Sequence, residues 1–140
     1  MKTQSEKCVI VMDESLPLGI LANTAGILGF TLGKQLPGAV GPDVTDKSGK
    51  EHMGIISVPV PILKADRERI RSIREQLYQP EFADLIVVDF SDIAQSCNTY
   101  PDFIDKAADT EECGFTYLGI GIYGSGKLVN RLTGNLPLLR

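Results

Sequence analysis

The sequence predicts a single α/β domain that spans residues 1–140. Strand-like and helix-like segments alternate along the chain, an order typical of layered α/β folds. A chain of 140 residues falls in the usual size range of one domain with its own core. With 43% hydrophobic and 23% charged residues, the composition is that of an ordinary globular protein.

Charge and composition narrow the classes of partner. The net charge of -4 disfavours nucleic acid, because affinity for phosphates depends on Lys and Arg, although a local basic patch leaves tRNA open. No apolar run is long enough for a bilayer and no secretory signal is visible, so we expect a cytoplasmic protein without membrane contact. Three cysteines without metal-type spacing predict free thiols, and nothing indicates a metal or cofactor.

The first half of the chain predicts one buried strand, one small-residue helix and a long loop. Residues 8–12 (C-V-I-V-M) form a continuous apolar run of the kind found in strands buried on both faces. Apolar residues recur at helical spacing over 18–32, where many Ala and Gly residues allow close packing against the sheet. The stretch 33–51, rich in Gly, Pro and Asp, is expected to be a functional or mobile loop.

The second half continues the alternation. Residues 53–62 are predicted as an edge strand, because Pro59 and Pro61 cannot donate to a ladder. The remaining elements are a helix at 66–77 capped by Asp66, a strand at 85–90, a helix at 100–108 capped by Thr99, a strand at 115–122, and a helix at 125–133 between a Ser125 cap and a Gly134 stop.

A glycine-rich segment matches two phosphate-binding patterns. Gly119, Gly121 and Gly124 spell G-x-G-x-x-G, and residues 121–127 spell G-x-x-x-x-G-K. Leu128 follows the lysine where a phosphate loop needs Ser or Thr, and no second strand follows as a dinucleotide fold requires. We interpret these glycines as a closely packed strand-to-helix turn.

The same segment carries a resemblance to a known family. The run 117–121 (Y-L-G-I-G), the pair 128–129 and the run 132–136 (L-T-G-N-L) resemble the C-terminal signature of type II peptidyl-tRNA hydrolases. Residues 9–12 resemble that family's first strand, and 87–96 resemble the strand and motif that end in D-A-G-R-T. The resemblance implies an uncharacterised bacterial branch of the superfamily, with three α/β/α layers around a four-stranded mixed sheet.

This chain departs from the family in its polar residues. The family's lysine, glutamine and histidine positions on the first helix fall on Ile20, Thr24 and Ile27, and the arginine of D-A-G-R-T falls on Gln95. The cations that would face a tRNA phosphate are therefore missing. Extra residues at 97–114 also separate this motif from the last strand. We expect a hydrolase-like scaffold without peptidyl-tRNA hydrolase activity.

Asp92 and Ser96 are the candidate catalytic pair. The resemblance places them on the Asp and Thr of D-A-G-R-T, just past a buried strand, a usual place for ligand groups in α/β sheets. There Asp92 can orient water or act as a base while Ser96 supplies a hydrogen bond. The alternative is that both satisfy loop backbone groups.

Four further residues are candidates for ligand binding. Asn23 and Thr24 are the strongly polar residues of the first helix and either face the same cleft as Asp92 or lie in a solvated turn. Asp13 either joins that carboxylate group or caps a loop. Cys97 follows Ser96 directly, and its alternative is an inert, buried thiol, since the one histidine, His52, lies far along the chain.

Two hypotheses follow from these residues. One is a domain that binds a small polar ligand near Asp92, and the other is a hydrolase of an acyl ester or amide that uses Asp92 and Ser96. A stripe of basic residues on the helix at 66–77 offers a surface for an anionic partner, but acidic residues are interleaved with it. The proline-bearing edge strand and the apolar tail (Leu136, Leu138, Leu139) predict self-association as a homodimer.

Overall fold

Two long strands, which are the first and the last of the main sheet in sequence order, form the centre of that sheet. The computed structural model describes residues 5–140, with the elements β1 (Glu6–Asp13), α1 (Leu18–Gln35), β2 (Val44–Thr45), β3 (Glu51–His52), β4 (Ile62–Ala65), α2 (Arg67–Leu77), β5 (Ile86–Ser91), α3 (Asp92–Gln95), α4 (Tyr100–Ala108), β6 (Tyr117–Ser125) and α5 (Gly126–Thr133). The predicted alternation of strands and helices is confirmed.

The main sheet is mixed and has four strands in the order β4-β1-β6-β5. β1 pairs with β4 in parallel, and β6 runs antiparallel to both β1 and β5. The carboxyl ends of β1, β4 and β5 therefore meet at one end of the sheet, where β6 begins. The expected four-stranded mixed sheet is confirmed.

Helices cover the two faces of this sheet. Alternate residues of β1 point to opposite faces, so Val9 and Val11 pack with α2 and α5, whereas Cys8 and Ile10 pack with α1. The apolar run at 8–12 is thus buried on both faces, which explains why it shows no polar alternation.

The glycines of β6 make room for α1. A Cβ atom at Gly119 would lie 2.9 Å from Cγ2 of Thr24, and one at Gly121 would lie 2.9 Å from Cδ1 of Leu32. These distances are too short for ordinary contact, so the glycines allow the helix to approach the sheet closely. The interpretation of this segment as closely packed is confirmed.

The region between α1 and β4 differs from its prediction. The strand predicted at 53–62 is wrong, because regular pairing begins only at Ile62, after Pro59 and Pro61. The predicted loop at 33–51 contains the last turn of α1 and the two-stranded ribbon of β2 and β3. Because a proline has no backbone N–H to donate to a neighbouring strand, β4 begins only after Pro59 and Pro61.

Helix ends follow the sequence where a side-chain cap forms. Asp66 accepts a hydrogen bond from the N–H of Arg69, and Thr99 accepts one from the N–H of Asp102. Ser125 occupies the predicted N-cap position of α5, which begins at Gly126, but its side chain makes no cap hydrogen bond. The short helix α3 was not predicted.

The C-terminal tail covers one edge of the sheet. The N–H of Lys64 donates to the carbonyl of Pro137, and the N–H of Leu139 donates to the carbonyl of Ile62, both at 2.9 Å. The apolar tail and the β4 edge thus cover each other, which removes the reason for expecting a homodimer. Within residues 5–140, no helix is long and apolar enough to cross a membrane.

Candidate functional site

Asp92 lies at the start of α3, where β5 ends. Its N–H donates to the carbonyl of Thr116, and its Oδ1 accepts from the N–H of Thr116, both at 2.9 Å. The pairing of β5 with β6 shifts register between Phe90 and Ser91, so this double contact links the end of β5 to the start of β6 just past the irregularity. In this structure the carboxylate of Asp92 therefore accepts a backbone hydrogen bond, as the structural alternative predicted.

Ser96 lies one turn further, at the end of α3. Its hydroxyl donates to the carbonyl of Ile93 and accepts from Nζ of Lys106, both at 2.9 Å. A hydroxyl has one proton to donate, and here a carbonyl takes it. The lysine comes from α4, within the extra residues at 97–114, and its approach to Ser96 was not foreseen.

Cys97 is half-buried and donates its thiol to the carbonyl of Ile93 at 3.3 Å. His52 bonds instead to Asp46 of the β2–β3 ribbon, with Nε2 at 2.8 Å from Oδ2. No Cys–His pair therefore forms among the described residues, and Cys97 lacks the base that would activate a thiol nucleophile.

The two candidate ligand-binding residues of α1, Asn23 and Thr24, point in different directions. Asn23 is exposed and lines a shallow cleft with Ile27 and Thr31. Thr24 is fully buried against β6, and its hydroxyl has no hydrogen-bond partner among the described residues. A ligand can reach Asn23 but not the hydroxyl of Thr24.

Asp13 caps the turn after β1. It is 1% exposed and accepts from the N–H and the hydroxyl of Ser15 at 2.9 and 2.7 Å, with Nε of Arg67 at 3.5 Å. β6 lies between β1 and β5, so Asp13 and Asp92 are roughly two strand spacings, about 10 Å, apart. They do not share a site.

The basic stripe of α2 is neutralised by acids from other elements. Arg71 pairs with Glu112 at 2.6 Å and Arg74 pairs with Asp89 at 2.9 Å. The helix partner Glu75 lies 3.9 Å from Arg71. The predicted neutralisation is confirmed, but acids distant in sequence provide most of it.

Tyr117 joins this network from the start of β6. Its hydroxyl donates to Glu112 Oε2 at 2.6 Å, and the Arg71 guanidinium lies over its ring at 4.8 Å from the centroid. Burial and the bond to Glu112 raise the pKa of Tyr117 far above its usual range. The hydrogen bond from Tyr117 lowers the pKa of Glu112, and the hydrogen bond and positive charge of Arg71 lower it further.

A cleft near Asp92 runs along the outer side of β5, between α1 and α4. This edge groove has a volume of about 450 Å³. Its walls come from three parts of the chain: Ile27 and Thr31 of α1, Val88 to Phe90 of β5, and the segment that contains Ala94, Cys97, Asn98, Thr99, Tyr100 and Phe103.

Of the predicted site residues, Cys97 alone lines the edge groove. Sequence reasoning missed Thr31 and Asn98. One signal was available, because Asn23, Ile27 and Thr31 are spaced four residues apart and therefore share a helix face. Nothing in the sequence indicated that this face would meet the segment after α3.

Comparison with known proteins gives the fold and the family. A solved structure of a protein of unknown function from Agrobacterium tumefaciens strain C58 is similar to this chain, with a TM-score of 0.85 and 14% identity over 95% of this chain and 96% of that one. At this identity the likeness shows the fold alone. No curated protein matches the chain. Residues 6–140 match the family described as Protein of unknown function (DUF2000), and the chain belongs to that family.

Proposed function

We propose that the protein is a binding domain that takes a small, uncharged, amphipathic molecule in the edge groove. The observation that carries this proposal is the groove itself, whose volume of about 450 Å³ lies within the range of small-molecule sites, ~300–1,000 Å³. Cys97, one of the candidate ligand-binding residues, lines this groove.

The walls of the edge groove define the chemistry of its ligand. Val88, Phe90 and Phe103 offer an apolar surface for a ring or a short chain, whereas Thr31 and Asn98 offer hydrogen-bonding groups. The acidic residue of the wall, Asp89, has its carboxylate paired with Arg74 of α2. The groove thus favours neutral polar groups over phosphates or carboxylates.

The backbone of β5 adds further hydrogen-bonding groups. β5 is the last strand of the sheet, and no backbone pairing to its outer side occurs within residues 5–140. Unpaired N–H and C=O groups on an edge strand bind amides readily. A ligand with an amide next to an apolar group therefore matches both features of the groove.

A second candidate is a hydrolase of acyl esters or amides. The contact between Lys106 and Ser96 supports it, because serine and lysine form a nucleophile and base in some hydrolases. In this contact Nζ of Lys106 donates to the hydroxyl of Ser96, and a lysine ammonium accepts no hydrogen bond, so Lys106 does not act as a base toward Ser96 here. The carboxylate of Asp92 accepts from the backbone of Thr116 and would have to leave this contact to activate water. Ligand binding in the edge groove requires neither a base at Ser96 nor a free Asp92.

A titration with N-acetyl-phenylalanine amide tests the binding proposal, since this probe is uncharged and carries a ring and amides. We expect backbone NMR shifts at residues 88–90 and 98–103. Thr31→Leu, which fills the groove, should weaken binding by about tenfold or more, equivalent to ~1.4 kcal/mol. Ala22→Leu is the matched control on another exposed part of α1 and should bind as the wild type does. Equal binding by the two variants contradicts the proposal.

Turnover of N-acetyl-phenylalanine methyl ester and of N-acetyl-phenylalanyl-tRNA tests the second candidate. Turnover that Ser96→Ala abolishes would establish a hydrolase, and activity on the tRNA substrate would support the resemblance to type II peptidyl-tRNA hydrolases. Absence of turnover on both substrates would leave binding as the function of the groove.

A further inference from the structure

A second cavity lies on the other side of α1, under the segment that follows this helix. Its volume is about 190 Å³. Cys8 and Ile10 of β1 form its floor, the C-terminal half of α1 forms one wall, and Val40, Ile56 and Val60 close it. We call it the loop cavity, and it shares no residue with the edge groove.

The loop cavity is lined almost wholly by apolar groups. Apart from the thiol of Cys8, its side chains carry no hydrogen-bonding atom, and burial raises the pKa of that thiol, which keeps it uncharged. A buried water needs two or more polar partners, and apolar cavities of roughly 150 Å³ stay dry and bind benzene-sized molecules. The cavity therefore favours an apolar occupant over water.

The chain leaves this space open where larger side chains would fit. Gly29 and Gly33, one turn apart on α1, line the loop cavity, and a Cβ added at either would meet no atom within 4 Å. Side chains at these positions could fill the cavity without a clash.

The mouth of the loop cavity is held open by the backbone. Val40 and Ile56 form an isolated antiparallel bridge, and the N–H of Ser57 donates to the carbonyl of Ala39 at 2.8 Å. Val40 is 45% exposed and Ile56 is 37% exposed, so apolar surface continues from the cavity to the solvent. A hydrocarbon chain that enters the cavity here can keep a polar end group in water.

We propose that the loop cavity binds the end of a short unbranched acyl or alkyl chain. Its volume accommodates about six to eight carbons, by scale with the benzene-binding cavities of roughly 150 Å³. Because the thiol of Cys8 is the one side-chain hydrogen-bonding group among the lining residues, a polar head group is expected to remain at the mouth, beyond Val40 and Ile56.

Sodium octanoate and xenon are the probes for this site. Both should shift the methyl NMR signals of Ile10, Leu32 and Ile56 in the full chain. Gly33→Leu, which fills the cavity, should weaken octanoate binding by roughly tenfold or more. Gly26→Leu is the matched control, since Gly26 also lies on α1 with open space but lines a different cleft.

Three outcomes would overturn this inference. These are no methyl shift with either probe, shifts confined to methyl groups outside the loop cavity, and equal octanoate binding by the two glycine variants. Thr31→Leu should leave octanoate binding unchanged, since Thr31 lines only the edge groove and the shallow cleft beside it. Loss of the edge-groove site would therefore be distinguishable from loss of this one.

Discussion

The two edges of the main sheet are protected in different ways. At β4 the chain's own tail pairs with the backbone of the strand, with bonds between Lys64 and Pro137 and between Leu139 and Ile62. At β5 the outer backbone is unpaired among the described residues, and the strand instead carries Asp89 in an ion pair with Arg74. One edge is closed by backbone pairing and the other is guarded by charge.

This difference shows where the fold leaves room for a partner. A free edge invites pairing with another chain, and charged side chains in the edge strand discourage it. At the β4 edge the tail takes the N–H of Lys64 and the carbonyl of Ile62. The β5 edge keeps its hydrogen-bonding groups and lies beside the edge groove. A small ligand can therefore bind these backbone groups, although the charge of Asp89 disfavours pairing with the strand of a second protein chain.

Opening the closed edge should have the largest effect. Leu139 packs against the core cluster on the α1 side, so Leu139→Asp places a charge in an apolar contact and loosens the tail. We expect a loss of about 2–4 kcal/mol in the free energy of unfolding, measured by urea denaturation.

Leu138→Asp is the matched control for this variant. Leu138 is adjacent in sequence but 45% exposed, so its free energy of unfolding should stay within ~0.5 kcal/mol of the wild type. If the two variants lose stability equally, the tail does not cover the β4 edge as the structure has it.

Removing the charge from the open edge should have an intermediate effect. Asp89→Val leaves Arg74 without its acidic partner and should cost about 1–2 kcal/mol. It also makes β5 a continuous apolar edge strand, so sedimentation should show self-association. Asp84→Val, at an exposed position before the strand, controls for the loss of one negative charge. A monomeric Asp89→Val protein would show that charge does not guard this edge.

Local patterns predicted most of the fold, and long-range contacts account for what was missed. The caps at Asp66 and Thr99 depend on residues within three positions, so the sequence displays them directly. The partner of Asp92 is Thr116, 24 residues away, and no local pattern reveals it. The edge groove likewise joins Thr31 to Asn98 only after α1 and α4 have reached the same side of β5.

The smallest expected effect concerns the acid beside the start of β6. Tyr117, and after it Arg71, holds the pKa of Glu112 below its usual range in the folded state. A carboxyl with a lowered pKa in the folded state stabilises the protein above its unfolded pKa, about 4.3 for glutamate. That stability is lost as the pH falls through the folded-state pKa.

Glu112→Gln should therefore be less stable than the wild type at neutral pH, and the gap should narrow as the pH falls below the unfolded pKa of about 4.3. Because the Glu112 side chain is 41% exposed, water screens the interaction and the gap should be smaller than for Asp89→Val. Urea denaturation across this pH range gives the measurement, with Glu111→Gln as an exposed neighbouring control. If the difference in unfolding free energy between the two proteins stays constant with pH, Glu112 contributes through packing and not through its charge. The ion pair between Asp89 and Arg74 would then be the electrostatic contact that stabilises this part of the structure.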